Sequence, residues 1–137
     1  MNLSKVCKGV RQLKKYGPFL AIFFIALVFL MPHLFTHKLI LGADAPFHYN
    51  RFYDAAQQIK HGDFHYFPSL YGFQQSGRIV NAVYGPFFAY LQGLIVLLAG
   101  SWFHYQILSN FILYLISGFS MLILLRYVNV RNWVSVP

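Results

Sequence analysis

Apolar positions along the chain fall into three long runs, with one long mixed stretch between the first and the second. The first run spans 16–35, and its centre, Phe19 to Met31, holds no polar residue. The second spans 84–100 and the third 104–127. Apolar runs approaching 20 residues match a hydrocarbon core of about 30 Å, which a helix of about 20 residues crosses. The pattern therefore predicts an all-α membrane protein: three transmembrane helices and a long external loop. Pro18 suits a first helical turn, where its missing N–H is no loss, and Pro32 is placed to kink or end the first span. Ser101-Trp102-Phe103 is short and uncharged, so spans two and three form an antiparallel hairpin. Gly85, Ala89 and Gly93 recur every four residues, giving span two a small-residue face that another helix can approach closely. Asn110, Tyr114, Ser117 and Gly118 give span three a polar, small-residue stripe of the kind that faces protein rather than lipid.

The stretch 36–83 is the external loop. Within it, 46–61 reads as an amphipathic juxtamembrane helix. Tyr49, Phe52, Ala56 and Ile59 recur at spacings of 3, 4 and 3, opposite a face of His48, Arg51, Ala55 and Gln58. The apolar stripe suits the bilayer surface or the spans, and Gly62 fits the left-handed residue that ends a helix. From 63 to 84 the chain is aromatic and irregular, with turn signals at Pro68, Gly72 and Gly77.

Composition agrees with a membrane setting: 58% of residues are apolar, 20% aromatic and 10% charged, and mean hydropathy is +0.50. The formal charge of +8 raises nucleic acid as a partner, but its distribution argues for a membrane. Five basic residues (Lys5, Lys8, Arg11, Lys14, Lys15) precede the first run, where the positive-inside rule puts a cytoplasmic flank. No basic–aromatic groove pattern accompanies them. Residues 1–15 thus form a cytoplasmic lead, with Val6, Val10 and Leu13 making a short amphipathic face toward lipid headgroups. Ala43-Asp44-Ala45 resembles a signal-peptidase site but lies about a dozen residues past the apolar core, too far for cleavage, so the first run is an uncleaved span. The expected location is the inner or plasma membrane, multi-pass, with the N-terminus cytoplasmic. Three spans then put the loop outside, the 101–103 turn inside and the tail, 128–137, outside, which leaves Arg126 and Arg131 on the side the rule disfavours. Cys7 alone makes no intrachain disulfide; it reads as an ordinary thiol, with S-acylation the alternative.

Charged chemistry is scarce. The chain has three acids, Asp44, Asp54 and Asp63, all in the loop. Asp44, His48 and Arg51 stand at i, i+4 and i+7, on one face if the helix includes Asp44; if it starts later, Asp44 is the N-cap. A carboxylate there sits at the positive end of the helix dipole and close to Arg51. It is a candidate base toward a substrate hydroxyl, while His48 and Arg51 are candidates to hold a phosphate. The plainer reading is a cap and a headgroup anchor. Arg78, shortly before span two, is a further candidate for a lipid phosphate, or a snorkelling surface residue. His61, Asp63 and His65 share one face of an extended segment but lack a fourth metal partner. No zinc, thiol, nucleophile-elbow or phosphate-loop motif is present. No cofactor is expected, with a divalent metal left open.

The series basic lead, one span, Gly42-x-Asp44-x-x-x-His48-x-x-Arg51 opening an amphipathic helix, Gly62-Asp63-Phe64, a proline-containing aromatic stretch and a helical hairpin resembles the start of bacterial GT-C-type membrane glycosyltransferases. It is most similar to the YfhO-like group, including relatives labelled 6-pyruvoyl-tetrahydropterin synthase-related membrane proteins. The label carries no pterin chemistry here, because the ligands of a zinc synthase are missing. The resemblance covers about residues 12–130. It implies that Asp44 is the central acid of the first external loop and that His48 and Arg51 contact the phosphate of a polyprenyl-linked sugar donor. GT-C proteins have seven or more spans, so it also implies an N-terminal portion that relies on further C-terminal helices or on a partner membrane subunit. The alternative is a non-enzymatic small membrane subunit or lipid-binding anchor.

Overall fold

The computed structural model describes residues 3–128, with side chains from Tyr16 onward. The side chain of Cys7 and the tail residue Arg131 lie outside that range. The described chain is helical, with no strand: α1 (Leu3–Thr36), α2 (Ala45–His61), α3 (Val80–Tyr84), α4 (Pro86–Ala99) and α5 (Trp102–Tyr127), plus a three-residue turn at Phe73–Gln75. It divides into two compact units, one of Met1–Phe35 with Asn110–Pro137 and one of Thr36–Ser109.

The first unit pairs α1 with most of α5. Among the described residues two helices are long and apolar enough to cross a membrane, Tyr16–Thr36 within α1 and Trp102–Tyr127. Neither proline bounds α1: Pro18 and Pro32 are both interior, and the basic lead continues into the span as one helix. Each proline forfeits one backbone bond, which membrane helices tolerate when neighbouring groups compensate. Phe19 packs on Phe119 with centroids 5.8 Å apart, Phe23 on Phe111 at 5.5 Å and Phe29 on Tyr114 at 5.5 Å. The helices therefore run antiparallel. Their seam is tight at Gly118, where an added Cβ would fall 2.5 Å from Cγ2 of Ile22. Ala26, Leu30 and Leu122 are the buried apolar residues of this unit. At its far end the Arg126 guanidinium lies over the Phe19 ring at 5.2 Å.

The expected second span falls short. α4 has 14 residues, about 21 Å at 1.5 Å per residue, against a core of about 30 Å. It is cut from α3 at Gly85, whose φ of 74° and ψ of 133° suit only a residue without Cβ. Among the described residues two helices reach spanning length, and α4 is a shorter apolar helix.

The second unit is built around α2. Pro46 stands in the first turn, and Gly62 closes the helix in the left-handed conformation, its N–H donating to the Gln58 carbonyl. Tyr49, Phe52 and Ala56 belong to the predicted stripe, but Ala55, assigned to the polar face, is fully buried beside them. The reason is α4. Its small face, Ala89 and Gly93, lies against α2, so that a Cβ on Gly93 would stand 2.8 Å from the backbone nitrogen of Ala56 and 3.0 Å from the carbonyl carbon of Ala55. The small-residue face thus meets a helix of the same chain. Aromatic rings frame the seam: Phe52 on Phe88 at 6.0 Å, and Tyr49 stacked on Trp102 at 4.9 Å. Gly93→Ala is expected to destabilise this unit by about 1–3 kcal/mol, the usual cost of overpacking against atoms that cannot turn aside. Thermal unfolding in detergent measures it, with the exposed Gly42→Ala, which has open space around its Cβ, as the neutral control.

Candidate functional site

Asp44 is the N-cap residue of α2, with φ −92° and ψ −3°, and its carboxylate makes no capping hydrogen bond. It is exposed. Its backbone carbonyl accepts from the His48 N–H at 3.1 Å, which sets the first turn. The expected closeness of Asp44 and Arg51 is not found: no ion pair joins them among the described residues. The guanidinium turns inward instead. Its Nε donates to Oδ1 of Asn81 at 3.1 Å and its Nη2 to the Gly85 carbonyl at 3.2 Å. Its carbon lies 4.8 Å from the centre of the Tyr84 ring. Arg51 is only 3% exposed, and burial pulls its pKa below the ordinary arginine value, though a guanidinium stays charged at any physiological pH.

His48 joins this cluster. Nη1 of Arg51 is 3.3 Å from its Nδ1. A guanidinium can only donate, so Nδ1 accepts and the ring proton sits on Nε2. The imidazole packs edge-on to Phe47 and Tyr84 and parallel to Phe52. Phe47 in turn touches Phe73 and Tyr84, both at 5.4 Å. The exposed Arg78 lies over the other end of this aromatic group, 5.8 Å from the Phe73 ring. Three of the four candidate residues, His48, Arg51 and Arg78, therefore gather around Phe47, Phe73 and Tyr84. Asp44 stands one turn before His48 at the same helix end.

One edge of the cluster is strained. Phe73, Gln74 and Gln75 all have positive φ, 50°, 59° and 59°. A left-handed conformation costs a residue with a Cβ about 1–2 kcal/mol. Such strain persists where surroundings enforce it and is concentrated at functional sites. Here the Asn50 carboxamide oxygen accepts from the Phe73 N–H at 3.3 Å, and the Gly72 carbonyl from the Gln75 N–H at 2.9 Å.

The loop is held to α2 by residues that did not stand out in the sequence. Asp54 is 1% exposed. Its Oδ1 accepts from the backbone N–H groups of Tyr71 at 2.6 Å and Gly72 at 3.0 Å, and its Oδ2 from the Gln58 amide at 2.8 Å. Gln58 Oε1 accepts from the His65 N–H at 2.8 Å and from the Tyr90 hydroxyl. The signal was Asn50, Asp54 and Gln58 at i, i+4 and i+8, one polar stripe.

Two of the three residues of the possible metal set have other partners. His61 Nδ1 is 2.8 Å from the Gln57 carbonyl and its ring stacks on Tyr71, while Asp63 Oδ2 accepts from the Tyr71 hydroxyl at 2.5 Å. No three His, Cys, Asp or Glu side chains converge on a metal position among the described residues. Hydrogen bonding to Asp63 raises the Tyr71 pKa above 10.0. The folded state thus holds that proton more tightly than the unfolded one, so the stabilisation is full below pH 10.0 and is lost as pH rises through the raised value. The stability advantage of the native protein over Tyr71→Phe is expected at pH 8 and is expected to vanish in strong alkali, as read by chemical unfolding at each pH.

The chain matches no protein-family model, and no curated protein or solved structure shows significant similarity to it.

Proposed function

We propose that the chain is the first-loop portion of a GT-C-like membrane glycosyltransferase, moving a sugar from a polyprenyl-phosphate donor to an acceptor on the outer membrane face. The observation that carries this reading is the pairing of an exposed, uncapped carboxylate, Asp44, with the aromatic cluster one turn away that holds His48, Arg51 and Arg78. Asp44 acts as base toward the acceptor hydroxyl. His48 Nε2–H and the exposed Arg78 donate to phosphate oxygens. Arg51 supplies positive charge from behind while orienting the His48 ring. Aromatic faces at Phe47 and Phe73 suit the apolar side of a sugar or lipid.

Two spans, rather than three, remove the charge conflict. With the basic lead on the cytoplasmic side, Arg126 returns to that side, in keeping with its contact to Phe19 at the start of the span and with the positive-inside rule. Residues 36–101 then lie outside. The test is transfer of labelled sugar from a polyprenyl-phosphate donor in membranes producing the intact protein, with the further helices or partner subunit this portion relies on, native against Asp44→Asn at equal expression. The second reading, a non-catalytic subunit that binds lipid, is favoured by one observation: Arg51 is already satisfied by Asn81, Gly85 and Tyr84. It expects no transfer from the native membranes and co-purification with a multi-span partner.

A further inference from the structure

α4 has two unlike faces. Ala89, Gln92 and Gly93 are buried, and Gln92 Oε1 accepts from the Tyr105 hydroxyl at 2.9 Å and the Ser109 hydroxyl at 3.1 Å. The opposite face, Phe87, Leu91, Leu94 and Leu98, follows a spacing of 4, 3 and 4 and carries no polar group. Phe87 is 82% exposed and Leu98 74%. The helix contains no charged residue. Beside the stripe, Ile59, Phe64 and Tyr66 complete a groove of about 540 Å³ with Phe87, Leu91 and Leu94.

From this we infer that α4 is an interfacial helix whose Phe87–Leu98 stripe sits in one leaflet of the bilayer, with both helix ends on the same side of the membrane. Continuity identifies the occupant. α4 is joined to α5, a helix of spanning length, through Gly100 and Ser101 alone, and the junction carries Trp102 and Phe103, with aromatic residues marking membrane interfaces. A water-facing stripe of this kind would be an exposed apolar patch. A protein interface brings a polar rim with hydrogen-bonding groups, whereas this face offers none. Acyl chains need none, and the groove beside the stripe has the apolar lining an acyl chain requires. A helix held to protein on one face and set among acyl chains on the other leaves neither apolar surface in water. The inference concerns the membrane seat of the unit and stands independently of sugar transfer.

The experiment uses the whole chain with Cys7→Ser, in vesicles of phosphatidylethanolamine and phosphatidylglycerol. Single substitutions Phe87→Cys, Leu91→Cys, Leu94→Cys and Leu98→Cys carry an environment-sensitive fluorophore, and lipids with a quencher high or low on the acyl chain report depth. The expected result is quenching at all four positions, stronger from the shallow quencher. Lys38→Cys and Ser101→Cys are expected to react with an impermeant maleimide from the same side. Labelling of Lys38→Cys and Ser101→Cys from opposite sides would establish a third span and overturn the inference. So would fluorophores on the stripe that neither quencher reaches.

Discussion

Asp54→Ala is expected to unfold the 36–109 unit or lower its melting temperature more than any other single change in the loop. The carboxylate is the shared acceptor for two backbone N–H groups, of Tyr71 and Gly72, and for the Gln58 amide. Removing it leaves the Tyr71 and Gly72 N–H groups inside the fold with no partner, and the Gln58 amide with only its longer bond to the Pro68 carbonyl, 3.4 Å. An unsatisfied buried donor costs about 1–3 kcal/mol, so two of them cost about 2 kcal/mol at the least. A domain of ordinary stability has about 5–15 kcal/mol in total. The damage also spreads, because Gln58 is held by Asp54 and itself holds His65 and Tyr90. Asp54→Asn should be milder: one oxygen still serves Tyr71 and Gly72, while the new amide faces the Gln58 amide, donor against donor. Limited proteolysis of 62–79 in detergent micelles, run beside thermal unfolding, reads the effect. Equal resistance of native protein and Asp54→Ala would show that the loop is held by other means.

The sequence made α2 legible nearly to the residue, because its signals are local: Asp44 and Pro46 at one end, Gly62 at the other, and a helical apolar period between. It also exposed the close-packing face of α4. It did not say which helix meets that face, and it read α4, a helix of 14 residues, as a span. Hydropathy counts apolar residues, and a helix buried on one side and apolar on the other scores like a helix in lipid. Ala55 was misplaced for a related reason: alanine sits without cost on either face, so only the tight approach of Gly93 shows where it points. Asp54 and Gln58 lie on a polar stripe, and periodicity cannot distinguish a stripe that faces water from one that faces a loop folded back on it. Arg51 stands out in the sequence as a candidate cation, but its main partners, Asn81, Tyr84 and Gly85, lie about 30 residues away. The left-handed run at Phe73–Gln75 carries no sequence signal, since no glycine occupies it; its geometry is imposed by Asn50 and the loop around Asp54.

The second large effect concerns chemistry rather than folding. Asp44 makes no side-chain bond that holds the fold together, so Asp44→Asn should leave unfolding and lipid seating unchanged. If the carboxylate takes the proton of an acceptor hydroxyl, its loss removes general-base catalysis, worth about 10²–10⁴ in rate. Arg78→Ala should instead weaken donor binding, raising KM more than it lowers kcat, because the exposed guanidinium lies over the Phe73 ring and makes no hydrogen bond or ion pair among the described residues. The two outcomes separate a base from a phosphate contact.

The most direct measurement is therefore the rate of labelled-sugar transfer from a polyprenyl-phosphate donor in membranes with equal amounts of native, Asp44→Asn and Gly42→Ala protein, each present together with the further helices or partner subunit that the proposal requires. The account predicts transfer by the native protein and by Gly42→Ala, with Asp44→Asn lower by about two orders of magnitude or more. Transfer by Asp44→Asn at the native rate, or none from the native membranes themselves, would contradict it.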